Sequence, residues 1–433
     1  MPAGGFLDAC GFYATAGGTG DFVVSSAAIG YQTPASASAV NGLVYSYRAQ
    51  SSDLSQWEIG FGAYATGTTT LARTTVVASS TGSKVNFSAP PSVYVTALTA
   101  DLKNAALLDN GQFGFHNRLI NPSGQIWQRA NSGAAAITDG TYAFDRWYGL
   151  VQSAGVTASQ VTNAENSTPY MMRLTQANAT AQRFGMAQAI ESANIIDARG
   201  QAVTLSARVK MSAATTLRYA IVEWTGTADT ITKDVVNDWT NSTFTTGNFF
   251  ISTTTTITAT GSIALAANTL ASINLTGTVS GAMNNLIVVF WTDSVQAQNV
   301  TLDIGKVQLE LGSSATTLAF RSYQQEQILC HRYFRKIVEP SLRGIVNASG
   351  TLAARVAATL APLMRATPTV SISGNVPIYD GSSTTTAATI STNYSTSGFL
   401  EVDLTLASSL TPARPAIVYR DTGSSYFMLE SEL

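Results

Sequence analysis

A mainly β chain built from several small domains follows from three features of the sequence. The chain has 433 residues, more than one ordinary core accommodates, so two to four domains are expected. Charged residues are only 12% while hydrophobic residues are 45%, a balance that does not fit disorder. The missing charge is replaced by Thr, Ser, Ala and Gly, and β-branched side chains suit a pleated surface. Short apolar runs recur along the chain between Gly, Ser and Asn clusters, which reads as strands and turns.

Residues 1–100 read as a small β-domain. Its candidate strands are 22–24, 43–47, 57–64, 71–77, 85–87 and 93–96. Trp57, Ile59 and Phe61 alternate with Glu58, Gly60 and Gly62, the period-2 pattern of a half-buried strand. Residues 101–116 look like a connector whose first half has helical spacing through Leu102, Ala105, Leu107 and Leu108.

Residues 117–323 carry eight or more strand candidates and almost no helical periodicity, the pattern of a β-sandwich or jelly roll. Val203, Leu205, Ala207 and Val209 alternate with Thr204, Ser206, Arg208 and Lys210, so one face is expected inside. The Thr-rich stretch 253–260 is expected to be a strand projecting beyond the core. A helix is expected over 324–337, with Ser322 and Gln325 forming a capping box and Leu329, Tyr333 and Ile337 on one face. Residues 338–433 return to short strands and form a C-terminal β-domain with a thin core.

The chemistry is sparse. Two histidines, His116 and His331, lie beside no Ser or Cys nucleophile pattern, and no catalytic residue is assigned. A polysaccharide-degrading enzyme needs only two carboxylates, but no spacing among Asp145, Asp197, Glu223, Asp229, Asp234, Asp238, Asp293 and Asp303 identifies a pair. Gly17-Gly-Thr-Gly20 lacks the Lys and Ser or Thr of a phosphate loop. Cys10 and Cys330, 320 residues apart in the chain, read as two buried thiols. A net charge of −2 gives no field for nucleic acid. No secretion leader and no run long enough to span a membrane are read from the sequence.

Aromatic rings can stack on sugars. Trp239 sits in a polar segment with Asn237, Asp238, Thr240 and Asn241, and is the best candidate for an exposed platform. Ligand binding is therefore assigned to Trp239, Asp238, Asn241 and Trp224, the last at a strand end. Trp147 and Trp291, among apolar neighbours, read as core.

Two passages carry a family resemblance. The first is N-R-L-I-N-P-S-G-Q-I-W-Q-R at 117–129 with F-D-R-W at 144–147. The second is L-D-I-G-K-V-Q-L-E-L-G at 302–312, running into F-R-S-Y at 320–323 and L-C-H-R-Y-F at 329–334. Together they resemble the two ends of the jelly-roll module of bacteriophage tail fibres and related virion appendages. The stretch M-R-A-T-P-T at 364–369 resembles the segment after that helix in many phage fibre proteins. The pattern W-E-I-G-F-G-A-Y at 57–64, with L-A-R-T-T-V-V at 71–77 and V-N-F-S-A at 85–89, resembles a small domain near the N-terminus of phage tail and capsid appendage proteins, on their virion side.

The resemblance implies a non-catalytic virion structural protein, a tail fibre or receptor-binding appendage made in the host cytoplasm. Its implied partners are other virion proteins through residues 1–100 and host cell-surface polysaccharide; apart from the resemblance, the low charge, the thin C-terminal domain and the Leu329, Tyr333 and Ile337 face, expected near a threefold axis, point to a homotrimer. A head fibre or capsid decoration protein is the alternative, and a glycan-cleaving tail enzyme the second. Asp303 follows Leu302 in a pattern resembling the last strand of jelly-roll carbohydrate-binding modules, where an acid can ligate a structural calcium. No other cofactor is expected.

Overall fold

The structure, a computed structural model, describes residues 5–99, 101, 116–129, 135–163, 165, 168–337, 342–347, 353–374, 376–418 and 426–433. The protein is mainly β and divides into two units, residues 1–114 and 115–433. Apart from Asp101 and His116, the connector expected at 101–116 lies outside the described residues. Among the described residues no helix is long and apolar enough to cross a membrane.

Seven short antiparallel strands build the first unit: β1 (Gly11–Ala14), β2 (Phe22–Ala27), β3 (Val44–Gln50), β4 (Trp57–Ala65), β5 (Thr70–Leu71), β6 (Thr75–Ser79) and β7 (Ser92–Val95). They run in the order β3-β7-β1-β2-β5-β4-β6, and β3 also pairs with β4, so six of them close on themselves. The alternation in β4 is present, but the buried face is the Glu/Gly face. Glu58 is fully buried while Trp57 is 38% exposed.

The reason is polar. Arg73 grips Glu58 with two bonds, Nε to Oε1 at 2.8 Å and Nη2 to Oε2 at 2.5 Å. The Tyr47 hydroxyl and the Val85 amide donate to the same carboxylate, each at 2.8 Å. Burial works against the charge, but the Arg73, Val85 and Tyr47 bonds hold the Glu58 carboxyl below its usual range. Tyr47 and Tyr45 lie opposite Gly60 and Gly62 across β3–β4, and the rings fill the room the glycines leave. A Cβ on Gly62 would stand 1.8 Å from the Ala72 carbonyl oxygen, and one on Gly60 2.3 Å from that of Thr75.

Twelve strands make the sandwich of the second unit: β8 (Ala135–Ile137), β9 (Tyr142–Phe144), β10 (Trp147–Val151), β11 (Val156–Thr162), β12 (Tyr170–Thr175), β13 (Phe184–Ile190), β14 (Ala202–Met211), β15 (Thr215–Trp224), β16 (Thr255–Leu265), β17 (Ala271–Thr278), β18 (Asn285–Thr292) and β19 (Thr301–Leu311). One sheet has the order β16-β15-β18-β13-β10-β9, the other β17-β14-β19-β12-β11-β8. The chain passes from one sheet to the other at most of its connections, the weave of a jelly roll. Val203, Leu205, Ala207 and Val209 of β14 point into the core as their alternation predicts. The Thr-rich stretch is not a projection; most of it is β16, an edge strand paired along its length with β15.

The helix α1 (Tyr323–His331) is shorter than expected, with its capping box in place. The chain turns at Arg332 and Tyr333 and continues as a strand. The remaining strands are β20 (Phe334–Ile337), β21 (Arg343–Val346), β22 (Ala353–Thr359), β23 (Thr369–Ser373), β24 (Val376–Tyr379), β25 (Thr384–Ser395), β26 (Phe399–Leu406), β27 (Pro415–Val418) and β28 (Tyr426–Glu430). Strand pairing with β28 extracts residues 334–337 from the helix. β20-β28-β23 form a small sheet, and β21-β22-β26-β25-β24-β27 close into a barrel with its own core. The Leu329, Tyr333 and Ile337 face is internal: Tyr333 is fully buried, Leu329 packs beside Ile120 and Ile126, and Ile337 packs on the barrel core.

The inverted strand β4 makes a direct test. Gly62→Ala is expected to disrupt the first unit, whereas Trp57→Ala shifts its melting by no more than about 1 kcal/mol equivalent, a surface-like effect. Thermal unfolding followed by near-ultraviolet circular dichroism reads both. A larger loss from Trp57→Ala than from Gly62→Ala would refute the assignment of the buried face.

Candidate functional site

Both faces of the first sheet are buried, which a two-layer sandwich does not require. The inner face carries Met186, Leu286, Val288 and Phe290. The outer face carries Ala187, Ala189, Ile287, Val289 and Trp291. A long connection between β15 and β16, residues 225–254, folds over that outer face. Phe249 stacks on Trp291 with ring centres 5.0 Å apart and an interplanar angle of 22°. Phe244 and Phe250 pack on the same indole, each at 5.5 Å. Trp239 meets Phe249 edge-on at 5.9 Å and is left half-buried at the rim.

This arrangement sorts the residues assigned from sequence. Trp224 is enclosed in the same aromatic cluster at 7% exposure, with its Nε1 donating to the Thr227 carbonyl at 2.9 Å; it offers no ring face to a ligand. Asp238 Oδ1 accepts from the amide and hydroxyl of Thr240 at 2.8 and 2.7 Å, bonds that lower its carboxyl pKa. Asn241 Oδ1 accepts from the Thr243 amide at 2.8 Å. Both side chains therefore shape their own turns.

Trp239 itself lines an open groove of about 590 Å³. One wall is Trp239, Asn237 and Asp234; the other includes Asp139 from the β8–β9 turn and Gln152 and Ser153 just after β10. Asp139 Oδ1 accepts from the Val151 amide at 2.8 Å. Partial desolvation raises the Asp139 carboxyl above its usual range against that bond, and the nearby Asp234 charge adds to the rise. Sequence reasoning missed Asp139, and treated Asp234 as one acid among eight. Nothing in spacing could join them, because the long connection alone brings them to one groove.

A second groove, of about 430 Å³, runs between α1 and the entry passage. Its central polar side chains have structural partners. Arg321 donates to the carbonyls of Asn117, at 2.9 Å, and Leu119, and to Glu326 Oε1 at 2.6 Å. Glu326 Oε2 accepts from the Asn121 amide at 2.8 Å. Asn117 bridges to β19 through Val307 and Leu309. Asn121, with φ +58°, bonds back to Ile126 and to the Asp145 carbonyl. Trp147 Nε1 donates to the Asn121 carbonyl at 3.0 Å, so this indole is core, as is Trp291.

Arg146 is 1% exposed, lies 3.7 Å over the Tyr333 ring and pairs with Glu432. Asp145 accepts from the Gln128 amide at 2.7 Å and from its side chain at 2.9 Å. Burial raises its carboxyl to about 6, with the Arg129 charge opposing.

Asp303 is engaged by basic side chains. Its two oxygens receive Arg173 at 2.7 and 2.9 Å and Lys210 at 3.0 Å, so cationic side chains hold the place foreseen for a metal. Among the described residues no group of three or more His, Cys, Asp or Glu side chains is placed to hold a metal ion. Burial and the Arg335 charge push the His331 pKa down to about 4. Both cysteines are buried, and burial raises both thiols, Cys10 to about 11.

No family model matches the sequence, and no curated protein does. Solved structures are similar at low identity. A tailspike enzymatic domain of bacteriophage CBA120 aligns at 15% identity and a TM-score of 0.27 over 46% of this chain and 22% of its own length. A putative sugar-binding protein from Bacteroides thetaiotaomicron aligns at 12% identity and 0.27, over 45% of this chain and all of its own. A family 11 carbohydrate-binding module from a Clostridium thermocellum cellulase aligns at 12% and 0.24, over 43% and 99%. Similarities of this size transfer no ligand or activity.

The polar closures predict unequal costs. Glu326→Ala leaves the Arg321 guanidinium buried without its counter-charge and is expected to destabilise the second unit by about 3–5 kcal/mol. Asp303→Ala is expected to cost less, because Arg173 and Lys210 are about 30% exposed and can turn to water. Calorimetric melting with and without EDTA is expected to be the same for the unsubstituted protein. A fall in melting temperature on chelation would mean that a metal displaces one of those cations.

Proposed function

We propose that this chain is a non-catalytic virion structural protein, a tail fibre or receptor-binding appendage, whose sandwich holds host-surface glycan in the Trp239 groove. The observation that carries the reading is the groove itself. A half-buried indole forms one wall, and neutral amides and hydroxyls of Asn237, Gln152 and Ser153 stand around it. Sugars need an aromatic surface for their C–H faces and hydrogen-bond partners for their hydroxyls. The resemblance of 117–147 and 302–334 to tail-fibre jelly rolls supports the virion setting.

The decisive test is Trp239→Ala in assembled particles. Adsorption to host cells is expected to fall severalfold while the melting temperature moves by only a few degrees, since the ring is half-buried at the margin of its cluster. Unchanged adsorption at unchanged stability would remove the groove from recognition. Release of reducing sugar from host polysaccharide by the purified protein would replace the non-catalytic reading with an enzymatic one.

Attachment to the particle is proposed to lie in the first unit, which is built around the W-E-I-G-F-G pattern. Because residues 1–114 form a unit with their own core, their removal is expected to leave a folded remainder that no longer joins particles. Normal incorporation of the truncated chain would place attachment elsewhere. Self-association as a homotrimer stays within the proposal, but through other residues than the internal face of Leu329, Tyr333 and Ile337. Phe320, Tyr323 and Ile328, at and before α1, are exposed apolar side chains.

A further inference from the structure

The Trp239 groove is distinguished by charge that is left unpaired. Elsewhere in the sandwich several acidic side chains are matched: Glu165 with Arg208 and Lys306, Glu191 with Arg332, Asp197 with Arg118, Asp293 with Arg218, Asp303 with Arg173 and Lys210. In each of these a basic side chain meets the acid at close range. Asp139 and Asp234 depart from this pattern. Both line the groove, both are exposed, and neither has a cationic partner within ion-pair distance among the described residues. Lys233, the neighbour of Asp234 in sequence, lays its ammonium 4.7 Å over the Tyr142 ring instead. Asp238 adds a third negative charge beside Trp239.

A second observation comes from β10, whose last residue, Val151, lines the groove. Tyr148 of β10 is fully buried, and its hydroxyl has no hydrogen-bond partner among the described residues. Burial raises its pKa, Arg146 opposes the rise, and the charges of Asp139 and Asp234 both add to it. The hydroxyl thus lies in the field of the two aspartates without bonding to either. An unsatisfied buried donor is uncommon in a folded protein. Here it feels the charges of two aspartates that form no ion pair among the described residues.

We infer that the Trp239 groove is a subsite for a sugar unit carrying a protonated amine, which the Asp139 and Asp234 carboxylates receive while the ring stacks on Trp239. The inference rests on the glycan-binding reading and names its substrate class. An ammonium donates charge-assisted hydrogen bonds to carboxylates, which are stronger than neutral ones. The same pair repels uronates and other acidic sugars, because like charges at short range disfavour the wrong partner. Neutral N-acetylated units keep the stacking and lose the ionic contact.

The test uses the full chain and three oligosaccharides of equal length: fully deacetylated glucosamine, its N-acetylated counterpart, and galacturonate. Binding is measured by calorimetry at low salt and mildly acidic pH, where the amine is protonated. The amine oligomer is expected to bind roughly tenfold more tightly than the N-acetylated one, the sum of two partly exposed ion pairs. Galacturonate is expected to bind least. In the double variant Asp139→Asn, Asp234→Asn the amine preference is expected to vanish while N-acetylated binding is kept. Each Asn retains an Oδ1 acceptor for its turn, and the single variant Asp234→Asn serves if the double one melts early.

Equal affinity of the wild type for amine and N-acetyl oligomers, with both lost in Trp239→Ala, would overturn the charge inference and leave the glycan groove standing. A preference that persists in the double variant would do the same. Binding that requires calcium and disappears with EDTA would assign the two carboxylates to a metal ion and overturn it too. No binding of any of the three oligomers would count against the inference and the groove together.

Discussion

Closure of the second unit depends on one buried ion pair, Arg321 with Glu326. Their side chains are 4% and 1% exposed, so neither charge has water to fall back on. Each uses its remaining valences on the chain that opens the sandwich, Arg321 on the carbonyls of Asn117 and Leu119, Glu326 on the amide of Asn121. Residues about 200 positions apart are thereby tied before the helix leads the chain away from the sandwich. A buried pair of this kind is weak as a source of net stability but costly to break from one side. It therefore specifies one docking of helix against sandwich and penalises all others.

The same logic repeats wherever this low-charge chain buries a charge. Glu58 and Arg73 organise the first unit, and Phe22 and Phe87 pack beside the guanidinium at 4.8 and 5.5 Å. Arg146 and Glu432, under the Tyr333 ring, join the sandwich to the end of the last small sheet. Arg129 spans Glu430 and Glu432 over the Phe334 ring. The motifs that carried the family resemblance, W-Q-R, D-R-W and R-Y-F, are thus largely structural. Their side chains are the polar closures of the fold, and the groove proposed for recognition is built by a connection outside every one of them.

That division explains how much of the molecule was legible in the sequence. The strand alternation of β14, the capping box of α1 and the weave of short strands are local, and period or spacing reports them directly. Strand β4 has the right period with the wrong inside. Hydrophobicity alone cannot see that Arg73, 15 residues on, neutralises Glu58 or that Tyr45 and Tyr47 need glycines opposite them. The helix end was misplaced because β28, nearly 100 residues later, recruits Phe334–Ile337. At the site, Trp239 could be singled out as an aromatic in a polar segment. Trp224 could not be told from it, since only the fold of 225–254 decides which indole is covered. Asp139 was invisible because it contributes only after that connection folds back over the sheet.

The anatomy of the groove constrains any recognition it performs. Trp239 meets Phe249 at a steep interplanar angle, Phe249 rests on Trp291, and Trp291 is anchored in a strand buried on both faces. The platform is therefore positioned by a stack of rings seated on the sheet and not by a free loop tip. Little ordering entropy remains to be lost when a sugar arrives, which favours affinity for a given contact area. Yet one half-buried indole and a few polar groups present a small surface, so a single groove binds weakly whatever its selectivity. Selectivity by two carboxylates and strength by repetition are compatible demands. In the proposed reading, charge would set which sugar is accepted at each groove, and copies arrayed on one particle would multiply weak contacts through effective concentration. The two unpaired carboxylates at the groove wall give a cationic ligand group a partner that no described side chain already supplies.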